Sequence, residues 1–113
     1  MKEYETVYIL GPRVAEQETQ EVSERLSKII ASHKGKVLMN RSWGKKQIAF
    51  PIQKEKEGVF VQLNYAGGGT LVGEIERSLK LDEKVLRFLT VTLNEEVDVD
   101  KRSQELASLT EGA

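Results

Sequence analysis

Residues 43–52 read Trp-Gly-Lys-Lys-Gln-Ile-Ala-Phe-Pro-Ile, placing an aromatic, a glycine and two adjacent lysines before an apolar run that contains a proline. Such a segment offers charge and ring stacking rather than bond-making chemistry. In an extended chain alternate side chains point to opposite faces, so Lys45 and Lys46 cannot both enter a core. At least one meets solvent or a partner. Pro51 cannot donate to a sheet ladder and therefore marks a strand end or an edge strand. Basic side chains that displace condensed counterions supply most sequence-independent affinity for nucleic acid. A solvated edge strand also uses lysines, to block association with other strands. Trp43 and Phe50 can stack on bases or pack into a core.

Other reactive residue types are sparse. The chain has no cysteine and one histidine, His33, which removes disulfides, thiolate metal sites and histidine clusters. His33 stands near the end of a helical pattern, where partial positive charge favours the helix dipole. Glu74 and Glu76 are two positions apart, so a helix sends them to different sides and they form no general acid–base pair. Gly67-Gly68-Gly69 lacks both the following Gly-Lys-Ser/Thr and the G-x-G-x-x-G spacing of a phosphate cradle, and reads as a flexible connector. These patterns point to no catalytic site, no metal and no cofactor.

The formal charge of −1 hides a strong division along the 113 residues. Between Lys34 and Lys56, seven basic residues face Glu55 alone, a net of +6. From Asn94 onward six acidic residues outnumber Lys101 and Arg102, a net of −4. With 31% charged and 39% apolar residues, the composition is that of one soluble globular domain. No segment is apolar enough to span a membrane, and the first residues do not resemble a secretory signal, so the expected location is the cytoplasm.

The elements that must position these residues follow from periodicity. Tyr4 to Leu10 alternates and ends at Gly11-Pro12, as a strand does. From about Ala15 to Lys34, the apolar residues Val22, Leu26, Ile29 and Ile30 recur at helical spacing, with Gly35 at the expected C-terminal cap. Lys36 to Phe50 reads as a long strand with a bulge or kink at Gly44. A polar loop, 53–58, separates it from a strand over Val59 to Tyr65. Thr70 can cap a helix carrying Leu71, Val72, Ile75 and Leu79, and Val85 to Leu93 forms the last strand. The order βαββαβ predicts an α+β, ferredoxin-like fold with a four-stranded antiparallel sheet and two helices on one face.

Such a sheet has one open face, and here that face is apolar. If Tyr4, Thr6, Tyr8 and Leu10 meet the helices, then Val7, Ile9, Phe60, Leu89 and Val91 point outward and call for a covering partner. The opposite register only exchanges the two sets. Phe60 and Tyr8 on central strands suggest a base-stacking platform, but Glu57-Gly58-Val59-Phe60-Val61 lacks the second aromatic of an RNA-recognition motif. After Asn94 the apolar density falls, which predicts a domain over 1–93 and a flexible acidic tail over 94–113.

The chain resembles the sixth protein of the bacterial small ribosomal subunit, here the S-six family. The resemblance covers about residues 2–93 and rests on Tyr4-Glu5, the Trp43 to Ile52 decapeptide, Gly58, and Glu76 to Thr92. The decapeptide carries the family's pattern of Trp-Gly, basic residues, then aliphatic-Ala-aromatic-Pro-Ile. The resemblance implies a non-catalytic structural protein that binds the central domain of small-subunit rRNA together with small-subunit ribosomal protein eighteen. Carried over by position, the RNA-facing residues are Lys45 and Lys46, with Arg41, Lys2 and Arg87, and the partner-facing residues are Phe60, Gln62, Val7, Ile9 and Leu89. Two rivals share the topology. One is a small-molecule-binding or regulatory module that forms a homodimer through the open face. The other is an acylphosphatase-like enzyme, for whose anion-binding turn Leu10-Gly11-Pro12-Arg13 supplies only fragments.

Overall fold

The computed structural model describes residues 1–52 and 54–111, without the side chains of Phe50, Pro51, Leu109, Thr110 and Glu111. The described elements are β1 Lys2–Leu10, α1 Glu16–Ser32, β2 Lys36–Ile52, β3 Glu55–Gly67, α2 Leu71–Leu81, β4 Val85–Asn94 and α3 Val99–Glu111. The four strands form one antiparallel sheet in the order β2-β3-β1-β4, the expected ferredoxin-like arrangement. Both β2 and β4 are edges. The strands β2 and β3 are longer than their alternation suggests, because most of the polar segment after Ile52 pairs as strand from Glu55 onward. Gln53 lies outside the described residues.

Cross-strand register sorts the faces. Tyr4 stands opposite Tyr65, Thr6 opposite Leu63 and Tyr8 opposite Val61, and this set faces the helices. Helix α1 meets it with Val22, Leu26 and Ile30, and α2 with Leu71, Ile75 and Leu79. Both triplets recur every four residues, so each helix presents one narrow stripe. Full burial of each such side chain is worth about 1.5–3 kcal/mol. The Thr6 hydroxyl in the strand core is satisfied: Thr6 Oγ1 lies 2.9 Å from Tyr65 Oη and 2.7 Å from Thr90 Oγ1. Tyr8 Oη reaches Ser23 Oγ at 3.2 Å. Burial pushes both phenols above the usual tyrosine range.

Local chemistry sets the helix ends. The α1 C-terminus closes with Gly35 N–H on the Ile30 carbonyl at 2.8 Å and Lys34 N–H on Ala31 at 3.1 Å, a Schellman pattern. The left-handed residue is Lys34, at φ 60°, rather than Gly35. Gly35 is needed for space instead: a Cβ there would lie 2.6 Å from the Ala66 carbonyl oxygen. Thr70 precedes α2, but its side chain makes no capping bond. The two helices are tied by Arg25, which donates to Ser78 Oγ at 2.9 Å and to Asp82 Oδ2 at 2.8 Å.

The segment after Asn94 differs from the expected flexible tail. Asp98 Oδ1 accepts the Lys101 N–H at 3.2 Å, an N-cap, and α3 runs from Val99 to Glu111. Arg102 on α3 donates through Nε to both carboxylate oxygens of Glu3 at 2.9 and 3.0 Å, and Asn94 Nδ2 donates to the same carboxylate at 2.6 Å. Glu3 is fully buried, and its pairing lifts the Arg102 pKa still higher. Because Glu3 alternates with Tyr4, α3 lies on the face away from α1 and α2, with Leu106 buried. The fold therefore has two helices on one face and a third over one end of the other.

Replacing Arg102 by Ala leaves Glu3 buried with Asn94 alone and should destabilise the fold by about 2–3 kcal/mol, read from urea unfolding. Wild-type stability in that variant would show that α3 is not anchored by this pair. The Asp82 carboxylate is the second test. Burial raises its pKa, but hydrogen bonds from Arg25 and Lys84 outweigh this and leave it below the usual range. Its contribution is therefore fully present above the ordinary aspartate value of about 3.9 and is lost as pH falls from there through the lower folded value. Asp82→Asn should flatten the dependence of the unfolding midpoint on pH in that acid window, and an unchanged slope would contradict the assignment.

Candidate functional site

The open face is built from the side chains of β1 and β3 that alternate with the core. Val7 stands opposite Gln62 on one side and Leu89 on the other, and Ile9 lies between Phe60 and Arg87. All five residues expected to face a partner, Phe60, Gln62, Val7, Ile9 and Leu89, thus converge on one surface. Leu89 is 66% exposed, and Val91 extends the patch beside it.

A further wall of this surface comes from the β2–β3 hairpin. Its register jumps between Gln47 opposite Glu57 and Ile52 opposite Glu55, so residues 48–51 bulge from the ladder. Ile48, Ala49 and Ile52 then line a cavity of 430 Å³ with Val7, Ile9 and Phe60, and Arg87 and Leu89 also contribute. Gly58 permits this approach, since a Cβ there would stand 2.5 Å from Ile9 Cγ2 and 2.9 Å from the Leu10 carbonyl oxygen. Strand alternation alone missed this wall, because a bulge breaks the alternation on which it rests. The signal present in the sequence is the five-residue run from Ile48 to Ile52, too apolar for a solvated hairpin tip.

The basic residues are distributed along β2 in two directions. Lys45 stands opposite Val59 and lines a groove on the helix side with Glu16, Gln20 and Glu24 of α1. Lys46, opposite Gly58, belongs to the open side with Arg41, opposite Gln62. Between these two sits Trp43, the unmatched residue of a bulge between Ser42 and Gly44, where Gly44 takes φ 78°. The bulge expected at Gly44 is therefore present. The Trp43 ring lies 5.4 Å from Arg41 Cζ and 4.9 Å from Lys46 Nζ, cation–π distances. Its Nε1–H donates to Gln62 Oε1 at 3.2 Å.

The remaining expected contacts stand apart. Lys2 is at the opposite end of β1 and pairs with Glu95 at 3.3 Å. Arg87 is exposed on the β4 edge beside the apolar cavity. Tyr8 is fully buried on the helix side, which removes it as a stacking residue. The side chain of Phe50, the second aromatic considered for stacking, lies outside the described residues. Arg13, from the fragmentary anion-binding turn, pairs with Glu55 at 3.2 Å. Among the described residues no three His, Asp or Glu side chains converge as a metal site, and no helix is long and apolar enough to cross a membrane. The arrangement can hold an apolar surface and a polyanion.

Comparison with known proteins gives a consistent picture. Residues 3–92 match the family model described as Ribosomal protein S6. The small ribosomal subunit protein bS6 of Syntrophobacter fumaroxidans is 37% identical over 108 residues, spanning 96% of this chain and 74% of that protein. The bS6 of Trichlorobacter lovleyi is 42% identical over 96 residues, spanning 85% of this chain and 79% of that protein. The crystal structure of 30S ribosomal protein S6 from Thermotoga maritima superposes with a TM-score of 0.75 at 26% identity, covering 96% of this chain and 97% of that one.

Proposed function

Because the chain belongs to the ribosomal protein S6 family of the small ribosomal subunit, we propose that it is an architectural RNA-binding protein, held on small-subunit rRNA of the central domain together with small-subunit ribosomal protein eighteen. It performs no reaction, needs no cofactor, and works on the ribosome in the cytoplasm. The observation that carries this reading is the division of labour across the sheet: Arg41, Lys45 and Lys46 along the β2 edge, with no ion pair among the described residues, and an apolar cavity on the face beside it.

In this reading the RNA backbone runs along the β2 edge. Lys45 reaches it from the helix side, and Lys46 and Arg41 reach it from the open side. An edge strand is the one place where side chains of both parities can meet the same polyanion. Lys2 and Arg87 meet RNA only where it crosses beyond that edge. Protein eighteen covers Val7, Ile9, Phe60, Gln62 and Leu89 with an apolar surface of its own, since only apolar contact recovers the free energy of hydrating that patch. The homodimer alternative uses the same face, but α3 occupies the end near Glu3 and shortens the surface available to a second copy.

Two measurements test the reading. Replacing Lys45 and Lys46 together by Ala should weaken binding to a central-domain RNA fragment and reduce the slope of log K against log salt by about 1–2 units, at about 0.7–0.9 unit per phosphate contact. An unchanged slope would move the RNA surface elsewhere. Phe60→Asp places a charge in the apolar cavity and should keep the far-UV circular dichroism of the fold while weakening pairing with protein eighteen by at least about tenfold in calorimetry. Pairing at wild-type strength would contradict the face assignment.

A further inference from the structure

We propose that Trp43 is a stacking platform for one unpaired RNA base, with Arg41 and Lys46 serving the phosphates on either side of it; this rests on the RNA-binding reading above. A large aromatic on a strand ordinarily packs into the core, yet Trp43 is 48% exposed. The bulge holds it there. With Ser42 opposite Val61 and Gly44 opposite Phe60, Trp43 has no partner residue on β3 and projects from the ladder.

The ring is nevertheless fixed. Its Nε1–H donates to Gln62 Oε1 at 3.2 Å, and Gln62 Nε2 donates to Asn64 Oδ1 at 3.1 Å. Asn64 is buried, so this relay anchors the indole edge to the interior of the sheet. A preoriented ring loses little freedom when a base settles on it. Base–aromatic stacking is insensitive to sequence, because every base offers a π face.

The charges beside the ring favour RNA over a protein surface. Neither Arg41 nor Lys46 is ion-paired among the described residues. In the free chain both rest near the ring through cation–π contacts, which at exposed sites are weak. A phosphate is the stronger partner, since charge-assisted hydrogen bonds exceed neutral ones about twofold. Arriving RNA therefore draws the two cations outward and leaves a ring face to the base. One cation lies on each side of Trp43 along the strand, so each can meet one of the phosphates that flank the stacked nucleotide.

Trp43 is the chain's one tryptophan, which makes its emission specific to this site. The test uses the full chain labelled with 5-hydroxytryptophan, excited apart from ordinary tryptophan, and adds first protein eighteen and then a central-domain small-subunit RNA fragment, with binding followed by gel shift. The expected result is strong quenching on addition of RNA, with Trp43→Ala weakening RNA binding about tenfold and Trp43→Phe restoring most of it. RNA bound with unchanged emission, and Trp43→Ala binding as wild type, would overturn the stacking role while leaving the RNA reading intact. Quenching complete on addition of protein eighteen alone would assign the ring to the protein interface and overturn it as well. Absence of RNA binding by the wild-type chain would overturn the RNA reading itself.

Discussion

A four-stranded sheet whose central strands are apolar on both sides cannot be covered by two helices. This constraint organises the molecule. In β1, Tyr4, Tyr8 and Leu10 satisfy one face by packing on α1 and α2, while Val7 and Ile9 on the same strand point the other way. The second face is covered in pieces. Helix α3 closes the end around Glu3, and Ile48, Ala49 and Ile52 of the bulged hairpin wall the other end. What remains between them is a bounded apolar surface around Phe60 and Leu89. Apolar area that a monomer keeps in water, rimmed by polar residues, is the signature of a docking site.

Charge follows the same division. Among the described residues after Asn94, acidic side chains pair at the other end of the sheet, with Lys2 to Glu95 at 3.3 Å and Lys36 to Asp100 at 3.8 Å. Exposed pairs of this kind add little stability. Their effect is on the field. They neutralise Lys2 and Lys36 near α3, while Arg41, Lys45 and Lys46 along the β2 edge form no ion pair among the described residues. A polyanion approaching the sheet is steered to that edge and away from the carboxylates of the C-terminal segment.

Much of this was legible in the sequence, for identifiable reasons. The two-residue alternation of Tyr4 to Leu10 and Val59 to Tyr65 gave both faces, the four-residue spacing of Leu71, Ile75 and Leu79 gave α2, and Gly44 marked the bulge. What escaped depends on contacts that periodicity does not register. Helix α3 is held by a polar anchor, Arg102 on Glu3, whose two residues lie 99 positions apart. The C-terminal turn of α1 puts Lys34 rather than Gly35 in the left-handed region, because Gly35 is committed to close packing against Ala66. The hairpin wall arises from a register jump, and that is invisible until the strands are paired. Of the candidate site, residue parity separated Lys45 from Lys46, and only the pairing showed which of them shares a surface with Trp43 and Arg41.

We propose that the apolar face and the basic edge act together, the first docking a protein and the second holding RNA. The most direct measurement is the affinity of the wild-type chain for a central-domain small-subunit RNA fragment, at one fixed salt concentration, with and without purified protein eighteen. Binding is expected to be weak alone and tighter by at least about tenfold with the partner present, a coupling of about 1.4 kcal/mol or more. Equal affinity under both conditions, or no binding in either, would contradict it.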